Sequence, residues 1–241
     1  LEDPSAQPPG YAAAFPKGSP LKALFDAAIL RFQQDGTLED LKKVWIDTVP
    51  DLPTGASKGL GWVLFIMKGA GVTLLYSLLS LFFGMIGGAL IALARLNPRG
   101  VLRYGAQAYV SIFRGTPLFV QLMVVYYALP QLLGLPVSAL VAGVVAFSLN
   151  SSAYVSEVIR GGLLAVDSGQ YEAAQVLNVP YWLMMRDLIA PQALRAILPA
   201  LVNEAISLLK ESAIISMIGE ADLMNRAKWV SAETYQYFAP L

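Results

Sequence analysis

Polar side chains interrupt an apolar run between residues 137 and 159, and they are the first candidates for chemistry. The set comprises Asn150, Ser151, Ser152, Tyr154 and Glu157. Positions 150, 154 and 157 share one helical face, because side chains three and four positions apart are neighbours. A charged side chain at the centre of a span costs roughly 2.5–3.5 kcal/mol on insertion scales, so such groups are paired or face water. We therefore expect this face, through Asn150, Ser152, Tyr154 and Glu157, to line a path for a polar solute.

A second polar face follows between residues 197 and 219. Asn203, Ser207 and Lys210 fall on one side of a helix there, again by the spacing of three and four positions. We interpret the two faces together as a substrate pathway through the membrane. The alternative is structural, with hydrogen bonds between helices and an ion pair such as Glu157 with Lys210.

The composition excludes the commonest forms of enzymatic chemistry. The chain contains no histidine and no cysteine, which rules out Ser-His hydrolysis, HExxH metalloproteolysis and thiolate metal sites. It also lacks the GxxxxGK[ST] loop that would hold the phosphates of ATP. We therefore predict no catalytic residue, no metal site and no cofactor in this chain. The remaining carboxylates and lysines show no pair geometry that would favour a membrane enzyme.

A short polar stretch, GQYEAAQVLNVP at 169–180, lies between two apolar segments. Glu172 is expected in the first helical turn, where a carboxylate suits the helix dipole. Asn178 can adopt the left-handed conformation that ends a helix, and Pro180 prevents its continuation. We predict a short helix at 170–178 with small residues on one side, suited to bind in a groove of another protein. An ordinary loop helix at the membrane surface is the alternative.

Membrane-spanning helices must position all of these residues. Hydrophobic residues make up 56% of the chain and charged residues 14%, whereas soluble domains carry roughly 25% charged residues. About 20 apolar residues are enough to cross the hydrocarbon core. Four runs are predicted as spans, at about 69–94, 112–130, 137–159 and 197–219. The fourth is the weakest, because it contains Glu204, Lys210 and Glu211.

The arginines predict the orientation of these spans. The turn after the first span contains Arg95, Arg99, Arg103 and Arg114, whereas the turn after the second contains no Lys or Arg. Arg160 follows the third span, before Arg186 and Arg195. Because Lys and Arg accumulate in cytoplasmic loops, we place the first and third turns in the cytoplasm and the N-terminal segment outside. Arg114 and Arg160 then lie at cytoplasmic span ends, as gate contacts or anchors.

Several stretches, in the same order, carry a resemblance to a known family. They are Glu172-Ala173-Ala174, FRGTPLFVQLMVVYYALP (113–130), AYVSEVIRGGLLAVDSGQYEAA (153–174) and LPALVNEAISLLKESAIISMIG (198–219). They resemble the permease subunits of bacterial ABC importers of the polar amino acid family, which transport glutamine, glutamate, histidine, arginine and similar substrates. The resemblance covers about 63–225 and implies an all-α integral membrane fold, the type I ABC importer transmembrane core. It also implies a multi-pass protein of the bacterial inner membrane.

The resemblance further implies partners and a coupling role. The predicted helix at 170–178 would be a coupling helix, which docks in a groove of an ATP-binding subunit. The residues in that contact would be Gln170, Glu172, Ala173, Ala174 and Asn178. At the position of Asn178 the family usually has Gly. ATP and Mg²⁺ would be bound by that partner. A second permease subunit, in a homodimer, would complete the pathway for the amino acid substrate within membrane lipid, and no nucleic-acid partner is expected. A permease for an opine or for methionine is the nearest alternative, and a passive channel is a more distant one.

The N-terminal segment carries a second resemblance. GYAAAFPKGSPLKALFDAAILRFQQDGTLEDLKKVWI (10–46) is similar to the C-terminal end of a periplasmic-type amino acid-binding domain, an α/β fold of which only the last two helices would be present. We expect this segment at 1–50, a linker at 51–62 and the ABC permease transmembrane domain at 63–241. Four spans are visible, and the resemblance implies a fifth that is missing from this chain.

Overall fold

The computed structural model describes residues 19–39, 58–96 and 100–236, and every regular element within these ranges is helical. The predicted all-α fold class is therefore confirmed. The chain divides into two units, Leu1–Leu52 and Pro53–Leu241, and all four predicted spans fall in the second.

The described part of the first unit contains helix α1, Leu21–Gln34. Ser19 Oγ accepts the backbone N–H of Leu21 at 3.3 Å, and Gly36, with a φ of 80°, follows the end of the helix. Residues 37–39 begin a further helix. The rest of the second of the two helices expected in this segment lies outside the described residues.

Two long helices, α2 and α5, form the centre of the second unit. Helix α2 is Lys58–Leu96 and helix α5 is Ala139–Leu164, and both are long and apolar enough to cross a membrane. Helix α2 contains the predicted span 69–94, and α5 contains all but the first two residues of the predicted span 137–159. They approach closely at Gly84 and Gly88 of α2, where an added Cβ would lie 2.8 Å from Ser151 Cβ and 2.6 Å from Val155 Cβ of α5. Small residues allow this approach between helices in lipid.

The predicted span 112–130 is not one straight helix. The structure divides it into α3, Gly100–Gly115, and α4, Leu118–Leu133, which meet at an angle of 104°. Pro117 causes the break, because a proline disfavours helical backbone at the residue before it and has no N–H to donate. The backbone at Pro117 is extended, with ψ of 136°. Within α4, Val124–Ala128 adopts π-helical hydrogen bonding.

A short helix and a long one follow α5. Helix α6 is Ser168–Val176, and α7 is Ala190–Glu211. A helical turn, Tyr181–Leu183, and a π-helical segment, Met184–Ile189, lead into α7.

The predicted fourth span, 197–219, begins inside α7 but does not continue as an α-helix. It changes to a 3₁₀-helix at Ser212–Ile218. Ser212 Oγ donates to the carbonyl of Leu209 at 2.8 Å, a side-chain bond that competes with the helical ladder, and Gly219 has a φ of 88°. Helix α8, Leu223–Thr234, follows. Helix α7 is not among the described helices that are apolar and long enough to cross a membrane.

Two apolar clusters fix these elements. One joins α2, α4, α5 and α7 around Tyr76, Leu122, Phe147 and Leu208. The other joins α6 to the segment that enters α7, and contains Ala174, Met184, Ile189, Ala193 and Ile197. The second cluster positions α6, the predicted docking helix.

Candidate functional site

Helix α6 begins two residues earlier than the predicted 170–178. It starts at Ser168, after Asp167, whose Oδ1 accepts the backbone N–H of Gly169 at 2.7 Å. Asp167 is therefore the N-cap, since a carboxylate there satisfies a free N–H of the first turn. Glu172 lies in the second turn rather than the first, so the expected interaction of Glu172 with the helix dipole is wrong.

The end of α6 follows the prediction closely. Asn178 has a φ of 52°, which confirms its left-handed conformation. Its N–H bonds the carbonyl of Gln175 at 3.0 Å, and the N–H of Val179 bonds the carbonyl of Ala174 at 2.9 Å. These two bonds form a Schellman motif, in which Asn is tolerated at the position that glycine usually occupies. The turn gives α6 a sharp, hydrogen-bonded end.

Helix α6 is attached to its own chain on one side. Ala174 is buried with Ile189 and Ala193, so it faces the start of α7 and is not available to a partner. Gln170 Oε1 accepts a hydrogen bond from Gln192 Nε2 of α7 at 3.3 Å. On the other side of α6, the predicted docking residues Glu172, Ala173 and Asn178 are exposed.

Next to these exposed residues, large apolar side chains point away from the protein. They are Val176, Leu177, Tyr181 and Trp182, each at least 70% exposed. The exposed pair Arg186 and Asp187 lies beside them, where the guanidinium donates to the carboxylate at 2.6 Å and lowers the pKa of Asp187. Exposed apolar patches with a polar rim mark interaction sites. Sequence reasoning missed the four apolar residues, although the Tyr-Trp pair directly after Pro180 was a visible signal.

Asn150, the first residue of the predicted polar face of α5, is bonded inside the chain. Its Nδ2 donates to the carbonyl of Phe113 at 3.2 Å and to Gln121 Oε1 at 3.1 Å. Gln121 in turn donates to the carbonyls of Phe113 and Thr116, at 2.9 Å and 3.1 Å. Carbonyls at a helix end need partners, so Asn150 and Gln121 together stabilise the break between α3 and α4. Sequence reasoning missed Gln121.

Ser152 lies beside a cavity of about 350 Å³ between α2 and α5. Its Oγ is 2.8 Å from Tyr109 Oη and donates to the carbonyl of Leu149 at 2.8 Å. Phe83 and Gly87 of α2 line the other wall. Apart from the hydroxyls of Ser148 and Ser152, the cavity is apolar.

Glu157 is the centre of an arginine cluster. Arg95 Nη1 lies 2.6 Å from Glu157 Oε1, and Arg160 Nη2 lies 2.7 Å from Oε2, while Arg114 is more distant at 3.8 Å. Arg114 also packs over the ring of Tyr154, 5.2 Å from its centroid. The alternative pairing of Glu157 with Lys210 is therefore wrong. The sequence analysis used Arg95 only to predict the membrane orientation and missed its ion pair with Glu157.

The predicted face of α7 does not meet the polar face of α5 within this chain. Asn203 and Lys210 are exposed, and neither they nor Ser207 form a hydrogen bond or an ion pair with any part of the chain that the structure describes. The bond between α5 and α7 instead runs from Ser151 Oγ to Glu204 Oε1, at 2.9 Å. Helical spacing grouped Asn203 with its neighbours correctly, but it could not tell which face of α7 points inward.

Comparisons with known proteins identify relatives of the chain. A family model for binding-protein-dependent transport system inner membrane components matches residues 82–240. The putative glutamine transport system permease protein GlnP of Rickettsia bellii is 54% identical over 179 residues, which cover 74% of this chain and 82% of the relative. The arginine transport system permease protein ArtQ of Bacillus subtilis is 47% identical over 194 residues, covering 80% of this chain and 84% of the relative.

A solved structure has the same fold. It is a crystal structure of an amino acid ABC transporter with histidines, and its sequence is 42% identical to this chain. The two superpose with a TM-score of 0.73 over 78% of this chain and 87% of the other.

Proposed function

The chain belongs to the family of binding-protein-dependent transport system inner membrane components, and from this premise we propose that it works as the permease subunit of an ATP-driven importer of polar amino acids. It is a membrane-embedded transport component and not a catalytic subunit. Relatives named for glutamine and for arginine support a polar amino acid as the solute, rather than an opine or methionine.

We place α6 on the cytoplasmic side and the N-terminal unit outside. The support is the distribution of arginine around the two helices that are long enough to span. Arg95 lies in the last turn of α2, and Arg160 lies near the end of α5, whereas the loop between α4 and α5 has no Lys or Arg. Positive residues accumulate on the cytoplasmic side.

The observation that carries the proposal is the two-sided character of α6. One side is attached to α7 through Ala174 and Gln170, and the other exposes Glu172 beside an apolar patch. A helix that is bound to α7 and also offers a free interaction surface can transmit movement to α7. We therefore assign that surface to a partner subunit that binds ATP and Mg²⁺, and whose hydrolysis cycle would move α6 and α7 together.

A second permease subunit would complete the pathway. Asn203 and Lys210 are exposed on α7, and polar side chains at membrane depth face a protein interior or water rather than lipid. A second copy of this chain, facing the same side of α7, would enclose these residues with Ser207 in a shared polar cavity. Alternating exposure of that cavity to the two sides of the membrane would then move the amino acid inward.

The test reconstitutes the complete importer, with its ATP-binding subunit, in liposomes. Glu172→Arg reverses the charge on the exposed side of α6 that we assign to the partner subunit. It should lower amino acid uptake about tenfold, which corresponds to a loss of about 1.4 kcal/mol of binding free energy. Glu233→Arg is the matched control, since Glu233 is also exposed but lies on α8. Uptake and its coupling to ATP hydrolysis should be normal in the control. Normal coupled uptake by Glu172→Arg would refute the coupling role of α6.

The same liposomes test the solute and the energy source. In a competition panel of glutamine, arginine, methionine and an opine, uptake should be inhibited most strongly by glutamine or arginine. Uptake that proceeds without the ATP-binding subunit would contradict an ATP-driven importer and favour a channel.

A further inference from the structure

Helices α2, α3 and α5 enclose a cavity of about 100 Å³ at the end of α2. Its lining is unusual for so small a space, because four of the seven side chains are hydrogen-bond donors and three of those are guanidinium groups. The lining residues are Ala92, Arg95, Leu96, Arg103, Gln107, Arg160 and Leu163.

The cavity carries an excess of positive charge. Arg95, Arg103 and Arg160 contribute three positive charges, and Glu157, which pairs with two of them, contributes one negative charge. Three minus one leaves an excess of two, before Arg114 at 3.8 Å from Glu157 is counted. An uncompensated excess of this kind at the end of spanning helices attracts anions.

Several donors of the cavity have no partner among the residues that the structure describes. Arg103 and Gln107 form no hydrogen bond with the part of the chain that the structure describes. Arg160 uses Nε and Nη2 on the same carboxylate oxygen of Glu157, which leaves Nη1 available. Arg95 is held in place by Glu157, with its side chain only 15% exposed. Fixed and free guanidinium groups around one point suit a phosphate group, whose oxygens accept several charge-assisted bonds at once.

The walls of the cavity identify the source of the phosphate. Ala92, Leu96 and Leu163 line it beside the arginines, and Leu93 and Leu96 are 64% and 57% exposed on the outer surface of α2. An inorganic anion would gain nothing from contact with this apolar rim. A phospholipid, in contrast, would place its phosphate in the cavity and its acyl chain along the apolar surface of α2. Basic pockets between spanning helices on the cytoplasmic side bind anionic lipid headgroups.

We propose that Arg103, Gln107 and Arg160, with Arg95 behind them, form a binding site for the phosphate headgroup of an anionic phospholipid. The proposal rests on the membrane placement of α2 and α5, and not on the transported solute or on the coupling role of α6.

The test uses the full-length importer in phospholipid nanodiscs that contain phosphatidylcholine and phosphatidylglycerol in equal amounts. After transfer to detergent, native mass spectrometry counts the phosphatidylglycerol molecules that remain bound. The wild type should retain phosphatidylglycerol in preference to phosphatidylcholine. Arg103→Ala should weaken this binding about tenfold, as expected for a hydrogen bond to a charged group. Arg103 is exposed and unpaired in the described chain, so the variant should fold normally, which a thermal unfolding curve checks.

Arg195→Ala is the matched control, because Arg195 is another exposed arginine on the proposed cytoplasmic side but lies outside the cavity. It should retain phosphatidylglycerol as the wild type does. Equal loss in both variants, or no preference for phosphatidylglycerol in the wild type, would overturn the proposal. So would displacement of phosphatidylglycerol by millimolar inorganic phosphate, since it would identify a general anion site. None of these readouts needs ATP or an amino acid, so a failure here is distinct from a failure of the proposed transport function.

Discussion

Helices α5 and α7 both carry polar side chains in an apolar part of the protein, but they satisfy them in different ways. On α5, Asn150, Ser152 and Glu157 are all bonded within the chain. On α7, Asn203 and Lys210 are exposed and have no partner among the described residues. The contrast teaches that the face of α5 holds the subunit together, whereas the face of α7 needs something outside the subunit.

Matched pairs of substitutions can break this comparison, and the largest effect is expected at Glu157. Glu157→Gln removes the charge partner of Arg95, whose side chain is only 15% exposed. Leaving one member of a largely buried pair without its partner should lower the free energy of unfolding by about 2–3 kcal/mol. Equilibrium unfolding in mixed detergent micelles measures the change. Glu211→Gln, at an exposed position of α7, should leave stability unchanged, and an equal loss in both variants would contradict the contrast.

The next effect is expected at Asn150. Asn150→Ala removes the hydrogen bonds to Gln121 and to the carbonyl of Phe113 and should cost about 1–2 kcal/mol, because two partly buried bonds are lost and Gln121 Oε1 loses its donor. The same unfolding assay applies, with Asn203→Ala as the control of identical chemistry on α7. If Asn203→Ala were the more damaging of the two, the assignment of inward and outward faces would be reversed.

A smaller effect is expected at Ser151. Ser151→Ala removes the donor to Glu204, and the loss of one such hydrogen bond should cost about 1 kcal/mol. Ser207→Ala tests the corresponding hydroxyl on α7 and should cost little. Indistinguishable unfolding curves for Ser151→Ala and the wild type would show that the bond between α5 and α7 contributes no stability.

The smallest effect is expected on transport, and it tests whether the exposed face of α7 contacts the solute. Asn203→Ala should raise the KM for amino acid uptake roughly fivefold, the equivalent of one hydrogen bond of about 1 kcal/mol, without changing stability. Uptake kinetics in liposomes measure this. An unchanged KM for every amino acid tested would remove Asn203 from the pathway.

The sequence predicted best where the signal is local. The two predicted spans at 69–94 and 137–159 follow from long, mainly apolar runs, and the end of α6 follows from Asn178 and Pro180. Each of these depends on neighbouring residues only. The left-handed conformation of Asn178 is confirmed by its φ of 52°.

The sequence predicted worst where two distant elements meet. Periodicity placed Glu157 on one face of α5, but it could not choose between Lys210 and Arg95 as its partner, because that choice depends on which faces pack together. The break at Pro117 was visible in the sequence. It was missed because the segment was interpreted by hydropathy, which does not distinguish one straight helix from two that meet at 104°.

The π-helical segment Met184–Ile189, between α6 and α7, determines which side of α7 meets α6. A π turn contains one residue more than an α-helical turn, and each residue of an α-helix rotates the chain by about 100°. The segment therefore acts as a fixed angular offset ahead of α7. Removing one residue from it would restore regular winding and swing Gln192 away from Gln170, its 3.3 Å partner, so the alignment of the two helices depends on a single extra residue.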